Sequence, residues 1–271
     1  MRSPRDAGFA VASCAVLAAY NNVIGAQPWH RRWYAPVNAG AASAALAAAA
    51  AGGLTAADLG LGRGRWRPGR LGAGLSAVTA AGYLAAAALP ATRPLLNDKR
   101  ITSLDRRALA YQVAFRIPVG TVLWEEIAFR GVLQAALRRV MPGPAAIAVT
   151  SGVFGVWHVR PTAAALRVNG LAGDRGSVCP RPSGDDPPSK SVCGASSANM
   201  QFAARVAAGV AVTTAGGVLF SWLRARSGSL TAPVLLHLAT NCVGPVVAWA
   251  VAPDRLSQLP PGAADAAAGP G

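Results

Sequence analysis

The chain has 271 residues, of which 52% are hydrophobic and only 14% charged, and its formal net charge is +15. A soluble domain carries about 25% charged residues, so the composition argues against a water-soluble enzyme and for a membrane protein. The basic residues are scattered over many short segments, which excludes nucleic acid as the partner their charge implies and points to lipid headgroups instead.

Six long windows hold no Asp, Glu, Lys or Arg: residues 7–30, 34–57, 71–92, 140–159, 206–223 and 227–253. Each, the shortest extended back to 202, can supply the roughly 20 apolar residues that cross a bilayer core. In chain order the spacing predicts spans at 8–26, 36–57, 72–91, 118–138, 143–160, 202–223 and 229–252. The first follows a basic start, as a signal peptide would, but its apolar run is too long for one and further spans follow. It reads as a retained helix. Arginine-rich loops, "RGRWRPGR" (63–70) and "NDKRITSLDRR" (97–107), separate later spans. The stretch 104–117, with Asp105, Arg106, Arg107 and Arg116, predicts a short interfacial helix. Pro118 then opens the fourth span, a position where proline is well tolerated.

Residues 171–199 are rich in Gly, Pro and Ser and predict a flexible loop; the tail 253–271 predicts disorder. Cys14 and Cys242 fall in spans and read as small apolar thiols. Cys179 and Cys193 share the polar loop, where they either pair or stay free. The fold class is therefore all-α: a polytopic transmembrane bundle of about seven helices with a short interfacial helix before the catalytic one. Residues 1–54 form N-terminal transmembrane helices, 55–252 a core and 253–271 a tail. Arginines fall on both sides, so the positive-inside rule sets no orientation. Nothing in the sequence sets an oligomeric state.

Ionisable groups inside spans are costly and face a cavity or a partner. "WEEIAFRGVL" (124–133) carries Glu125, Glu126 and Arg130; "FGVWHV" carries His158; "LLHLATNC" carries His237 and Asn241. His30 sits in the loop after the first span. Glu126 and Arg130 are four apart and share a helical face, where the guanidinium neutralises the carboxylate. Glu125 is turned about 100° away and faces elsewhere. His237 and Asn241 are co-facial by the same spacing, and Phe154 packs one turn before His158. Each pair alone reads as packing or interhelical glue; together they place two carboxylates, two imidazoles, an amide and a guanidinium on three helices. Such a set suits a carboxylate acting as general base on water, with imidazole and amide groups donating to an oxyanion. One glutamate with two histidines also suits zinc, although no HExxH segment is present.

The segments "EEIAFR" (125–130), "FGVWH" (154–158) and "HLATN" (237–241) fit E-E-x-x-x-R, F-x-x-x-H and H-x-x-x-N/D in that order. With "ADLGLGRGRWR" (57–67) ahead of them, the chain resembles the CPBP family over residues 55–252. That family comprises CAAX prenyl endopeptidases of the Ras-converting type and bacteriocin-processing or abortive-infection relatives. The resemblance implies an intramembrane endopeptidase acting on a membrane-associated, prenylated or precursor peptide or membrane protein. Carried over, Glu125 is the water-activating base paired with His158, His237 and Asn241 stabilise the oxyanion, and Glu126, Arg130 and Phe154 support them. The metal alternative takes zinc or another divalent ion on Glu125, His158 and His237. The implied location is the cell membrane, as a multi-pass protein, and the Ala- and Arg-rich composition suggests a bacterium. A catalytically silent protein of self-immunity or maturation, and a proton-coupled transporter, are the other function classes weighed; the absence of an internal repeat speaks against the transporter.

Overall fold

The computed structural model describes residues 3–62, 69–172 and 195–256. No strand occurs among them. Helix α1 is Pro4–Val23, the short α2 Pro28–Arg32, α3 Tyr34–Ala51 and α4 Arg70–Ala88. A continuous helical segment, α5, runs over 106–140; α6 is Gly143–Trp157 and α7 Val159–Val168. Helix α8 is Ala195–Ser227, and α9 spans Thr231–Ala250 with a π-helical turn at Ala239–Val243.

Among the described residues, four helices are long and apolar enough to cross a membrane by length and composition: Pro4–Ala26, Arg70–Ala88, Ala198–Ser227 and Thr231–Ala250. The other predicted spans are α6, at 15 residues, α3, at 18 residues, and α5, which carries the charged groups. Large apolar side chains project outward from α1, α4 and α8, with Val11 68%, Val78 69% and Val212 72% exposed. Such exposure is untenable in water and ordinary in lipid, where apolar faces meet acyl chains. Segment α5 has the opposite character. From Glu126 to Leu137, only Ile127 among its residues is not buried, so the helix bearing the glutamates is the centre of the bundle.

Two expectations differ from the structure. The stretch 104–117 is not a separate interfacial helix, and Pro118 does not open a span. The chain stays helical through Pro118, with π-helical turns over Gln112–Arg116, Pro118–Leu123 and Glu126–Leu133. A prolyl ring clashes with the carbonyl four residues back in a regular helix; the wider π turn relieves that clash and lets the helix pass. Such turns cluster at functional sites. His30, in turn, is no loop residue. It is 2% exposed on α2, and its Nε2 lies 3.0 Å from Asn38 Oδ1, which also accepts from the Tyr20 hydroxyl at 2.9 Å. Asn38 Nδ2 donates to the Gly120 carbonyl at 2.6 Å, tying α3 to α5.

Small residues set the helix crossings. A Cβ on Gly217 of α8 would stand 3.2 Å from Ser151 Cα of α6, so the absent side chain brings those two backbones together. Gly228, at φ +69°, ends α8 and turns the chain into α9. Helix α1 packs on α5 and α6 through buried Ala10 and Leu17. Cys14 and Cys242 are free thiols, as expected. Cys179 and Cys193 lie outside the described residues, as do most of the predicted loop 171–199 and most of the tail. Helix α8 begins at Ala195, inside the stretch expected to be loop.

Candidate active site

Glu125 and Glu126 enter the bundle core from α5, and both are buried, at 4% and 0% exposure. The expected Glu126–Arg130 pair is present, with Arg130 Nη1 donating to Glu126 Oε1 at 3.2 Å and both side chains fully shielded. Arg130 is also sandwiched by rings: its guanidinium carbon lies 4.1 Å from the Phe154 centroid and 5.0 Å from that of Phe220. A desolvated guanidinium gains substantially from such faces.

His237 joins the two glutamates. Its Nδ1 lies 2.8 Å from Glu126 Oε1, and its Nε2 lies 3.8 Å from Glu125 Oε2. Phe220 stacks on the imidazole at 4.8 Å and 21°, which fixes the ring plane. A carboxylate oxygen only accepts, so the short contact requires the proton on Nδ1. With Nδ1 committed to Glu126, Nε2 is the ring nitrogen that faces Glu125. At 3.8 Å the two atoms are too far apart for a direct hydrogen bond and close enough to share one water.

Trp157, which the sequence did not single out, holds the other oxygen of Glu125: indole Nε1 donates to Oε1 at 3.1 Å. Glu125 Oε2 has no hydrogen-bond partner and is shielded from the surface. The carboxylate is thus anchored at one oxygen and free at the other.

His158 follows at the end of α6, half-buried, with Nδ1 2.8 Å from the Phe154 carbonyl. A carbonyl only accepts, so that contact places a proton on Nδ1. Phe154 packs against both imidazoles, with ring centroids 4.5 Å from His158 and 6.4 Å from His237. Asn241 is half-buried on the π-helical turn one step beyond His237. The structure therefore brings Glu125, Glu126, Arg130, Phe154 and His237 into one cluster. It pairs Glu125 with Trp157 and sets it against His237, where the sequence reading expected His158 as its partner.

The protonation pattern of both histidines suits metal ligation, because each ring has its Nδ1 committed to an oxygen acceptor. The ligand count does not. Among the described residues no three His, Cys, Asp or Glu side chains are grouped to hold a metal ion, so Glu125, His158 and His237 do not form a ligand set in this arrangement. Glu125 and His237 are the two groups that would hold one.

Compared with known proteins, residues 108–243, about half of the chain, match the family model described as Rce1-like, type II CAAX prenyl endopeptidase. No curated protein and no solved structure matches the chain.

Proposed function

Because the chain belongs to the Rce1-like type II CAAX prenyl endopeptidase family, we propose that it hydrolyses a peptide bond of a membrane-tethered substrate with water activated between Glu125 and His237. One observation supports this most: Glu125 Oε2, buried and without a hydrogen-bond partner, faces His237 Nε2 at 3.8 Å while Trp157 holds its twin oxygen.

A water donating to both acceptors has its lone pairs turned outward, toward a bound peptide carbonyl. Its oxygen attacks the carbonyl carbon, one proton passes to the Glu125–His237 pair, and the carbonyl π electrons move onto oxygen. His237, once protonated at Nε2, becomes a donor for that oxyanion. Glu126 and Arg130 stabilise the imidazolium from its other nitrogen, since Glu126 accepts from Nδ1. The half-buried Asn241 amide supplies a second donor. The held proton then passes to the leaving nitrogen as the C–N bond breaks, with the half-buried His158 on the substrate side of the transfer. An acid and an amine leave, and Glu125 is regenerated.

The substrate class is a prenylated or otherwise membrane-associated peptide, cut near the bilayer surface. A divalent cation on Glu125 and His237 is the second reading, favoured by the facing of Glu125 Oε2 and His237 Nε2. The test uses the full chain in lipid nanodiscs and an internally quenched farnesylated peptide ending in Cys-a-a-X. Wild type cleaves it, while Glu125→Ala falls by about 10²–10⁴-fold, the contribution of a positioned general base, with its melting temperature retained. Cleavage by Glu125→Ala at the wild-type rate would remove Glu125 from the mechanism. Activity lost to a chelator and regained in proportion to added zinc would select the metal reading.

A further inference from the structure

Three consecutive residues at the end of α1 grip one short segment of the core. Tyr20 lies face to face on Trp157, with centroids 5.5 Å apart and planes 4° from parallel. Asn21 Nδ2 donates to the Trp157 carbonyl at 3.2 Å. Asn22 Nδ2 donates to the Val156 carbonyl at 2.9 Å, and Asn22 Oδ1 accepts from Arg160 N at 3.2 Å. The segment so held, 156–160, is the break between α6 and α7, with His158 at the junction (φ −91°, ψ 0°). Carbonyls at the end of one helix and amides at the start of the next lack intrahelical partners; the two asparagines satisfy three of them from outside. Trp157 and His158 both project from this break.

We infer that Tyr20, Asn21 and Asn22 form a positioning clamp for the catalytic groups. The clamp lies outside residues 108–243, the part matched to the family, so it is a property of this chain's N-terminal helices. The physical chain is short. The asparagines fix the backbone of the break, Tyr20 fixes the indole plane, the indole N–H fixes Glu125 Oε1, and the free Oε2 then meets His237. Tyr20 is itself held, through its hydroxyl, by Asn38. Tyr20 also packs on Trp124, whereas Asn21 and Asn22 hold the break by hydrogen bonds alone and Ala10 and Leu17 keep α1 on the core, so the asparagine variants release the indole without unfolding the bundle.

The inference rests on the protease reading, and two readouts keep them separable. Cleavage of the farnesylated peptide is measured in nanodiscs for Asn21→Ala, Asn22→Ala and Tyr20→Leu, with Tyr20→Phe as the variant that keeps the ring. Misplacement of a reacting group by about 1 Å costs on the order of 10²-fold. The asparagine and Tyr20→Leu variants should lose kcat by about 10–100-fold with KM within about threefold, while Tyr20→Phe stays within about fivefold of wild type. The second readout is the set of indole N–H resonances from the chain's seven tryptophans, in ¹⁵N-Trp-labelled protein. The Trp157 signal is the one missing from Trp157→Phe. It should move upfield in Glu125→Ala and shift in the same direction in the clamp variants. An indole signal that stays in place in the clamp variants overturns the clamp, as does a normal kcat alongside a shifted signal. Wild type that fails to cleave the peptide while the signal still moves in both sets supports the clamp and strikes the protease reading alone.

Discussion

Arg130→Met is the sharpest test of the buried charge cluster. Arg130 and Glu126 are both 0% exposed, 3.2 Å apart, and the guanidinium lies over Phe154 and Phe220. Methionine fills much of the same volume between the rings but leaves Glu126 with His237 as its partner. Breaking a buried pair from one side costs about 3–5 kcal/mol, because the surviving charge stays desolvated. That is a large share of the 5–15 kcal/mol by which proteins are stable. Glu126→Gln removes the other charge yet keeps an amide oxygen that accepts from His237 Nδ1. The double variant Glu126→Gln/Arg130→Met removes both charges of the pair together and should be more stable than Arg130→Met alone, with a coupling of about 2 kcal/mol or more. Reversible unfolding in mixed detergent–SDS micelles measures all four corners of the cycle. Additive losses, or an Arg130→Met cost under about 1 kcal/mol, would refute the argument that the pair is held by mutual compensation in a dry core.

Two glycines two residues apart on α4 should respond oppositely. A Cβ at Gly72 would meet Ala232 Cα at 2.8 Å, whereas one at Gly74 meets nothing within 4 Å; Gly72→Ala should destabilise by about 1–3 kcal/mol through overpacking, and Gly74→Ala should stabilise by up to about 1 kcal/mol through helix propensity, both read as shifts in thermal melting. In the loop before α4, the Thr55 backbone N–H and hydroxyl hold the Asp58 carboxyl below its ordinary value, with Arg139 and Arg224 assisting. A lowered carboxyl contributes stability above its unfolded value near pH 3.9 and loses it as pH falls through the folded one. Wild type should therefore melt above Asp58→Asn at pH 7, and the two curves should converge only as pH falls below the lowered folded value; a gap that persists there would assign the difference to packing.

The sequence made legible what depends on local spacing. Charge-free windows gave the helices, a four-residue step gave Glu126 with Arg130, and the same step gave Phe154 with His158. It did not make legible what depends on which helix packs where. Trp157 reads as one more apolar residue in "FGVWH", since an indole acquires a polar role only when an acceptor arrives from another helix. Asn21 and Asn22 did leave a signal, two amides at the end of an apolar span, but their acceptors lie more than 130 positions away. The passage of α5 through Pro118 was hidden for a different reason: proline statistics describe regular α-helix, and this segment is π-helical there.

The relation between Glu125 and His237 shows how both kinds of information combine. Neighbours on a helix diverge by about 100°, so one partner for Glu125 and another for Glu126 is the natural expectation. Imidazole escapes it because its two nitrogens lie on different edges of one plane. Phe220, stacked on His237, sets that plane so that Nδ1 meets Glu126 and Nε2 meets Glu125. The arrangement makes the two carboxylates chemically unequal. Glu126 is spent on Arg130 and on the Nδ1 proton, which fixes the tautomer and supports an imidazolium. Glu125, bound by Trp157 at one oxygen, keeps the other without a hydrogen-bond partner. On the mechanism proposed above, a single ring thereby converts two adjacent identical residues into a support and a base, and the divergence of their side chains around the helix is what lets it do so.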